Sequence, residues 1–326
     1  MNPRVAVVGG SGFVGSAVVA ALSGRADVVV VKAPRITSSA REVDAVLAAA
    51  EESSAREELL AMFEGTDVVI NAAGDPDASS GEMDRLVGAN GVLPAVILMA
   101  ARSAGVRRLV HLSSAVVQND RPVLDESEEM SPFSDYSLSK VLGEDAVRAA
   151  DAGAMEVVRF RPPSVHAETR RVSRGVSRIA RSRVASVAAD GSQPSPQALL
   201  GNVADGVAHL ATTSSTPPSI VMYPWEGLTS YDVMAIFGRG RKPIRIPATA
   251  AKLGVRTAKW LGRRSRPLAA NTRRLELLWL GQGQAESWLT GDGWTPPLGR
   301  SGWTDLAITL ATTQVAAVDA TEETSA

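Results

Sequence analysis

The stretch RVAVVGGSGFVGSAVVAAL, residues 4–22, constrains the fold of this chain more than any other. An apolar run without alternation is followed by four glycines in seven residues and then by a segment of helical character. A strand that turns sharply into a helix needs side chains removed where the two backbones cross. The same bareness lets an anion reach the N–H groups at the helix start. Gly9, Gly12 and Gly15 stand three apart, and Gly10-Ser11-Gly12-Phe13-Val14-Gly15 fits G-x-G-x-x-G. A tight turn that binds nothing is the plainer reading of such a motif. Its place directly after RVAVV and before a helix makes Gly9, Gly12, Phe13, Val14 and Gly15 the candidate pyrophosphate cradle of a dinucleotide.

Runs of the same kind recur. Residues 4–8, 27–31, 67–71, 108–113 and 156–160 are short and apolar without alternation, as in strands covered on both faces of a parallel sheet. Between them, 16–22, 40–63, 84–104 and 134–150 read as helices. This order predicts a doubly wound α/β domain, a parallel Rossmann sheet with right-handed crossovers, over 1–165. Past residue 165, Pro, Arg and Ser become frequent and the alternation loosens. A smaller C-terminal α/β substrate domain is expected over 166–313, partly returning to the first sheet. The final QVAAVDATEETSA, 314–326, is polar and is expected as a disordered tail.

Composition excludes several chemistries. The chain has no cysteine, which removes disulfides, thiolate catalysis and Cys-ligated metals. Three scattered histidines, His111, His166 and His209, do not suggest a metal centre, and none is expected. Thirty-four basic residues against 35 acidic ones give a net charge of −1, with no global pull toward nucleic acid or membrane. The apolar start is broken by glycines, unlike a leader, and no uninterrupted apolar stretch reaches the roughly 18 residues of a membrane span. A cytoplasmic, soluble chain is the expectation.

Two further patterns refine the chemistry. An enzyme that uses NAD usually carries an acid after the second strand for the ribose 2′-hydroxyl, but DVVVVKAPR places Lys32 there and Arg35 just beyond. Cations suit the extra phosphate of NADP, so NADP is favoured over NAD, against the plain reading of two solvated loop charges. DYSLSK sets Tyr136 and Lys140 four apart on one helix face. A neighbouring ammonium favours the phenolate, so Tyr136 could exchange a proton with a substrate oxygen while hydride moves at nicotinamide. Ser114 ends the strand of HLSS, at the sheet edge where such folds bind ligands.

With these pieces in place, the chain resembles extended short-chain dehydrogenases/reductases of the NAD-dependent epimerase/dehydratase family. The matching stretches are GGSGFVG, DVVINAAG, VGANGVLPAVILMAA, GVRRLVHLSSAVV, DYSLSK, VVRFRPPSV, LLGNVADGVAHLA and GDGWTPPLGRSGW, in family order. The resemblance implies that Ala72, Ala73 and Gly74 line the cofactor and that Asn90 supports the site. It implies that Lys140 also holds the nicotinamide ribose, that Ser114 hydrogen-bonds the reacting oxygen, and that Pro162 and Ser164 lie near the nicotinamide. It implies, finally, a nucleotide-activated sugar as substrate, reduced at a keto group or epimerised at C4, and a homodimer through the helices following Asp84 and Ser134.

Departures from the family matter for the substrate. Val117-Gln118-Asn119 replaces the frequent V-Y-G, and His166-Ala167-Glu168 replaces Y-G-P. Ala115-Val116 stands where dehydratases of the family carry an acidic pair, which disfavours dehydration. The Arg that commonly grips a substrate diphosphate is missing from SQPSPQ, whereas RRVSRGVSRIARSR holds six arginines. Arg174, Arg178 and Arg181 fall at helical spacing, and Arg178 and Arg181 are candidates for the missing grip, equally readable as a solvated face. Without that grip, a non-sugar alcohol or ketone of sterol-like kind stands as the alternative substrate, and a non-catalytic NAD(P) sensor as the alternative role. The later stretch KLGVRTAKWLGRRSRPLAANTRRLELLWL mixes cations with Leu and Trp. It reads first as a solvated amphipathic helix and second as a peripheral contact with an anionic membrane. No nucleic-acid partner is expected.

Overall fold

The structure, a computed structural model, describes residues 2–77, 81–118, 120–262 and 266–323. In chain order its elements are β1 (Arg4–Val8), α1 (Phe13–Ala21), β2 (Asp27–Val31), α2 (Val43–Glu51), α3 (Ala55–Phe63), β3 (Val68–Asn71), α4 (Met83–Val87), α5 (Leu93–Ser103), β4 (Arg108–Leu112), β5 (Val123–Leu124), α6 (Asp135–Ala149) and β6 (Glu156–Arg161). There follow β7 (Ser164–His166), α7 (Arg171–Arg181), β8 (Ser186–Ala188), β9 (Gln197–Leu199), α8 (Leu200–Thr212), β10 (Ile220–Met222), α9 (Ser230–Phe237), β11 (Ile244–Ile246), α10 (Ala248–Gly262), α11 (Arg266–Leu280), β12 (Gly283–Gln284), α12 (Trp288–Gly291) and α13 (Gly299–Glu323).

The chain divides into two units. The first takes in 1–163, 201–224 and 285–295, and the second 164–200, 225–284 and 296–326. In the first, six parallel strands lie in the order β10-β6-β4-β3-β1-β2. The order reverses beside β1, as in a doubly wound sheet, and helices cover both faces. Val5, Val7, Val68, Val69, Ile70 and Val110 are fully buried, which is why these strands show no polar alternation.

Two long expected helices are each interrupted, for local reasons. The 40–63 segment is α2 and α3, parted at Glu52-Ser53-Ser54, where the Ser53 N–H turns back to the Ala50 carbonyl at 3.3 Å and the Ser53 carbonyl accepts the Arg56 N–H at 3.1 Å. The 84–104 segment is α4 and α5 joined by a π-turn, Gly88–Val92. Pro94 supplies no N–H to the Asn90 carbonyl four residues back, so a wider turn is the natural accommodation there. Met83–Ser103 is the one helical run among the described residues that is long and apolar enough to cross a membrane, and most of it is buried inside the unit.

The second unit is built from shorter pieces. β7 pairs with β9 and β8 with β11, both parallel. Val176, Val187, Leu199, Phe237, Leu278 and Trp303 form its apolar core. Helix α13 runs to Glu323, and 324–326, the end of the expected tail, lie outside the described residues. Arg263, Arg264 and Ser265 of the basic stretch, and Asn119, lie outside them as well.

Candidate active site at the carboxyl edge of the sheet

The glycine turn answers to the steric demand read from the sequence. Gly9 sits at φ +78°, in the left-handed region, and donates its N–H to the Val31 carbonyl at 2.9 Å. A Cβ on Gly15 would stand 2.1 Å from the Gly9 carbonyl oxygen, and one on Gly12 3.1 Å from it. Gly15 therefore owes its bareness to the close approach of α1 to the turn. Gly12 is the exposed N-cap of α1 and offers no side-chain acceptor to the N–H groups that follow. Phe13 and Val14, half-buried, open that helix. A backbone end of this kind, uncapped by its own side chains, suits an anionic group.

The neighbouring strand ends converge on the same edge. Register aligns Val8 with Val31 and with Asn71, so Gly9, Lys32 and Ala72 each leave the sheet side by side. Lys32 and Arg35 are exposed there. Ala73 lies against the Gly9 turn, at 3.0 Å from the position a Gly9 Cβ would take. Gly74 is bounded by Asn90 Oδ1 and Lys140 Nζ, which a Cβ at that position would approach to 2.7 and 3.2 Å. The loop 72–74 thus joins the glycine turn to the Tyr136 helix.

Asn90, fully buried in the π-turn, holds this loop from below. Its Oδ1 accepts the Asp75 N–H at 3.0 Å, and its Nδ2 donates to the Asp75 carbonyl and to Ser139 Oγ, both at 3.1 Å. With both ends of its amide engaged by protein, Asn90 fixes the loop that borders Lys140. A Cβ on Gly143 would stand 1.9 Å from the Asn90 carbonyl oxygen, so α6 approaches the π-turn because residue 143 has no side chain.

Helix α6 begins at a capping box in which Ser134 Oγ accepts the Ser137 N–H at 3.1 Å. That start places Tyr136 in the first turn, half-buried, and Lys140 one turn on. Lys140 is buried, and Nζ donates to the Leu112 carbonyl at 3.4 Å. Burial lowers its pKa to about 8, with the carboxylates of Glu144 and Asp75 pulling it back up. The side chain is therefore a cation at neutral pH, held where its charge is weakly solvated. Ser114, half-buried, follows β4, and its Oγ accepts the Val116 N–H at 3.3 Å. Ala115 donates to the Pro162 carbonyl at 2.9 Å, tying the end of β4 to the end of β6.

Some residues that brace this edge escape sequence reading. Asn71 and His111 stand opposite one another in β3 and β4. Asn71 Oδ1 accepts the Ala73 N–H at 3.0 Å, which orients its Nδ2 to donate to His111 Nδ1, also at 3.0 Å. Burial, aided by the charges of Lys140 and Arg159, holds His111 well below the usual histidine pKa, so it is neutral. Glu144, one turn beyond Lys140, takes Arg161 Nε at 2.9 Å and Nη2 at 2.6 Å with both side chains fully buried. The only clue to that pair was a strand, EVVRFR, whose arginines interrupt an apolar run.

The remaining candidates belong to the second unit. Ser164, exposed, opens β7, and Arg178 and Arg181 lie on α7, the first exposed and the second half-buried. His166, beside them in sequence, is a core residue. Its Nε2 meets Gln197 Oε1, its Nδ1 meets Ser173 Oγ at 3.1 Å, and its ring packs on Phe237 and Trp303.

Residues 5–219 match the pattern of the NAD dependent epimerase/dehydratase family. The chain belongs to that family. It is an NAD(P)-dependent enzyme type, and the fold agrees with solved members. A dTDP-4-dehydrorhamnose reductase from Yersinia enterocolitica superposes with a TM-score of 0.62 at 17% identity, covering 95% of this chain and 100% of that one. A Thermus thermophilus UDP-glucose 4-epimerase in complex with NAD gives 0.59 at 19%, covering 94% and 99%. A Bacillus anthracis dTDP-4-dehydrorhamnose reductase in complex with NADP gives 0.60 at 15%, covering 94% and 99%. In sequence, the chain is 33% identical over 171 residues to a Stigmatella aurantiaca 4-hydroxy-2-methyl-3-oxo-4-farnesyl-3,4-dihydroquinoline-1-oxide ketoreductase. The match spans about half the length of each protein, 49% of both.

Proposed function

We propose that this protein reduces a ketone with NADPH, with Tyr136 as the proton donor, Lys140 as the charge that tunes it and Ser114 as the group that orients the carbonyl. The observation that carries this reading is the placement of Lys140. A buried ammonium with a pKa near 8 borders Gly74, one helical turn from Tyr136, at the sheet edge where the glycine turn opens. Bound there, the dinucleotide would supply the hydride. Gly9, Gly12, Phe13, Val14 and Gly15 would hold its pyrophosphate, and Ala72, Ala73 and Gly74 would line it. Lys140 would take the nicotinamide ribose, with Pro162 and Ser164 near the ring and Asn90 acting through the loop it clamps. Lys32 and Arg35 support NADP over NAD, since two exposed cations suit a 2′-phosphate.

When hydride reaches the carbonyl carbon, negative charge develops on its oxygen. The Ser114 hydroxyl donates to that oxygen and the Tyr136 phenol delivers its proton. The charge of Lys140 stabilises the phenolate left behind. Because burial keeps this ammonium poorly solvated, its effect on a nearby phenol exceeds that of the same charge in water.

A non-sugar ketone on an apolar framework is the substrate class this reading favours. SQPSPQ lacks the diphosphate-gripping Arg, and the Stigmatella relative is named a ketoreductase of a farnesylated quinoline oxide. A nucleotide-activated keto-sugar is the second reading, favoured by the exposed Arg178 and its neighbour Arg181 on α7. The test is NADPH consumption with prenylated aromatic ketones and with nucleotide keto-sugars, using parent and Tyr136→Phe. The parent should turn over the aromatic ketones, and Tyr136→Phe should lose roughly 10²–10⁴ in rate while binding NADPH as before. Near-parental turnover by Tyr136→Phe sinks the mechanism. Turnover of keto-sugars alone, lost on neutralising Arg178 and Arg181, moves the substrate to the second reading.

A further inference from the structure

The two units carry opposite charge. The first holds 15 Lys/Arg against 26 Asp/Glu and the second 19 against 9, nets of −11 and +10 in a chain whose total is −1. Charge asymmetry of this size within one chain points to an anionic partner for the basic part.

Helix α10 of the second unit gives that charge an unusual setting. Ala251 and Val255 are buried on its inner side. Its sequence, ATAAKLGVRTAKWLG, has three cations and no acid. At about 100° per residue, Lys252, Arg256, Trp260 and Leu253 occupy one continuous arc. All four are exposed, Leu253 at 63% and Trp260 at 58%, and Leu261 follows at 47%. Glu276 of α11 takes Lys259 at 2.9 Å. Just before α10, Ile244 is 54% exposed beside Arg245, whose nearby acid is Asp190. The Ile244 N–H bonds the carbonyl of Ala185, next to Val184 at 74% exposure. A solvated helix face carries charge without large apolar side chains among it. Cations flanking Leu and Trp match the boundary of a bilayer, where headgroup phosphates meet acyl chains and the indole sits with its N–H toward water.

We propose that α10 docks on an anionic phospholipid bilayer, with Lys252 and Arg256 at the headgroups and Leu253 and Trp260 at the acyl boundary. Nucleic acid fits less well, because Leu253 and Leu261 gain nothing from a phosphate backbone. The inference does not depend on the identity of the ketone. It is tested by co-sedimentation of the full chain with vesicles of phosphatidylcholine alone and of phosphatidylcholine mixed with phosphatidylglycerol. The parent should bind the mixed vesicles and not the neutral ones, less tightly as salt rises. Lys252→Glu with Arg256→Glu should weaken binding by about tenfold or more. Leu253→Ser with Trp260→Ser should do the same through lost apolar burial, about tenfold. These side chains are exposed, so both variants should keep the parent's circular dichroism and NADPH affinity. The proposal is overturned if the parent ignores anionic vesicles, or if either double variant binds them like the parent. It is also overturned if duplex DNA captures the parent as tightly as vesicles do and the Leu253/Trp260 variant leaves that capture unchanged.

Discussion

The first unit buries charge close to Lys140, whereas the second buries a neutral polar hub and keeps most of its charge outside. In the first, Arg161 and Glu144 are fully buried one helical turn from Lys140. In the second, His166, Ser173 and Gln197 are linked by hydrogen bonds among the rings of Phe237 and Trp303. Trp303 in turn donates its indole N–H to Glu226 at 2.5 Å. A buried ion pair sets an electrostatic environment that a reacting group can use. A neutral hub mainly fixes geometry, here among strands of three residues that have little register of their own. The contrast teaches that polar burial gathers charge near Lys140 in one unit and fixes geometry in the other.

The largest expected effect separates these two roles. Glu144→Ala leaves the Arg161 guanidinium buried without its carboxylate and should cost about 3–5 kcal/mol of stability in urea unfolding. A loss under about 1 kcal/mol, the range of exposed pairs, would show that water reaches the pair and that the contrast is misdrawn.

Next in size is the acid response of the second unit. Burial pushes His166 down to about 4, with the Gln197 contact opposing and Arg170 adding to the shift. Unfolded, the ring takes its proton near pH 6.5. Between these values the unfolded chain binds more protons, so the His166 contribution should make stability fall as pH drops from about 6.5 to about 4 and should itself be flat above. The full shift corresponds to about 3 kcal/mol. His111 is depressed in the same direction, so the parent should show both contributions. His166→Gln should remove its own share and keep the rest. An unchanged slope in that variant would mean His166 already exchanges its proton in the folded state.

How much of this was legible follows the same division. The first unit's strands were readable because Val-rich runs buried on both faces have no other stable fate. The crowding at Gly9 and Gly15, and the placing of Tyr136 and Lys140 one turn apart on one helix, were readable because each follows from spacing within one turn or one helix. Asn71 with His111, and Glu144 with Arg161, were not, because each pair is made by strand register or helix packing between distant segments. The π-turn at Gly88–Val92 left a local sign in Pro94, four residues after Asn90, but the periodicity of that stretch reads as one helix. In the second unit, His166 sits where the family often has another motif and carries no local hint of burial.

The smallest predicted effect lies just beyond the end of β2. Replacing Lys32 and Arg35 by Ser should weaken NADPH by about tenfold or more and leave NADH nearly unchanged, as expected for charge-assisted contacts to one extra phosphate. Equal weakening of both would show that these cations act on the shared part of the cofactor.

Transfer of deuterium tests the central claim most directly. NADPH labelled at the transferable position of the nicotinamide is incubated with the parent and its best ketone, and the alcohol is analysed by mass spectrometry. The account predicts the label on the carbinol carbon of the parent's product, and almost no product from Tyr136→Phe over the same time. An unlabelled, isomerised product with NADPH unconsumed would contradict it, as would labelled alcohol formed equally fast by Tyr136→Phe.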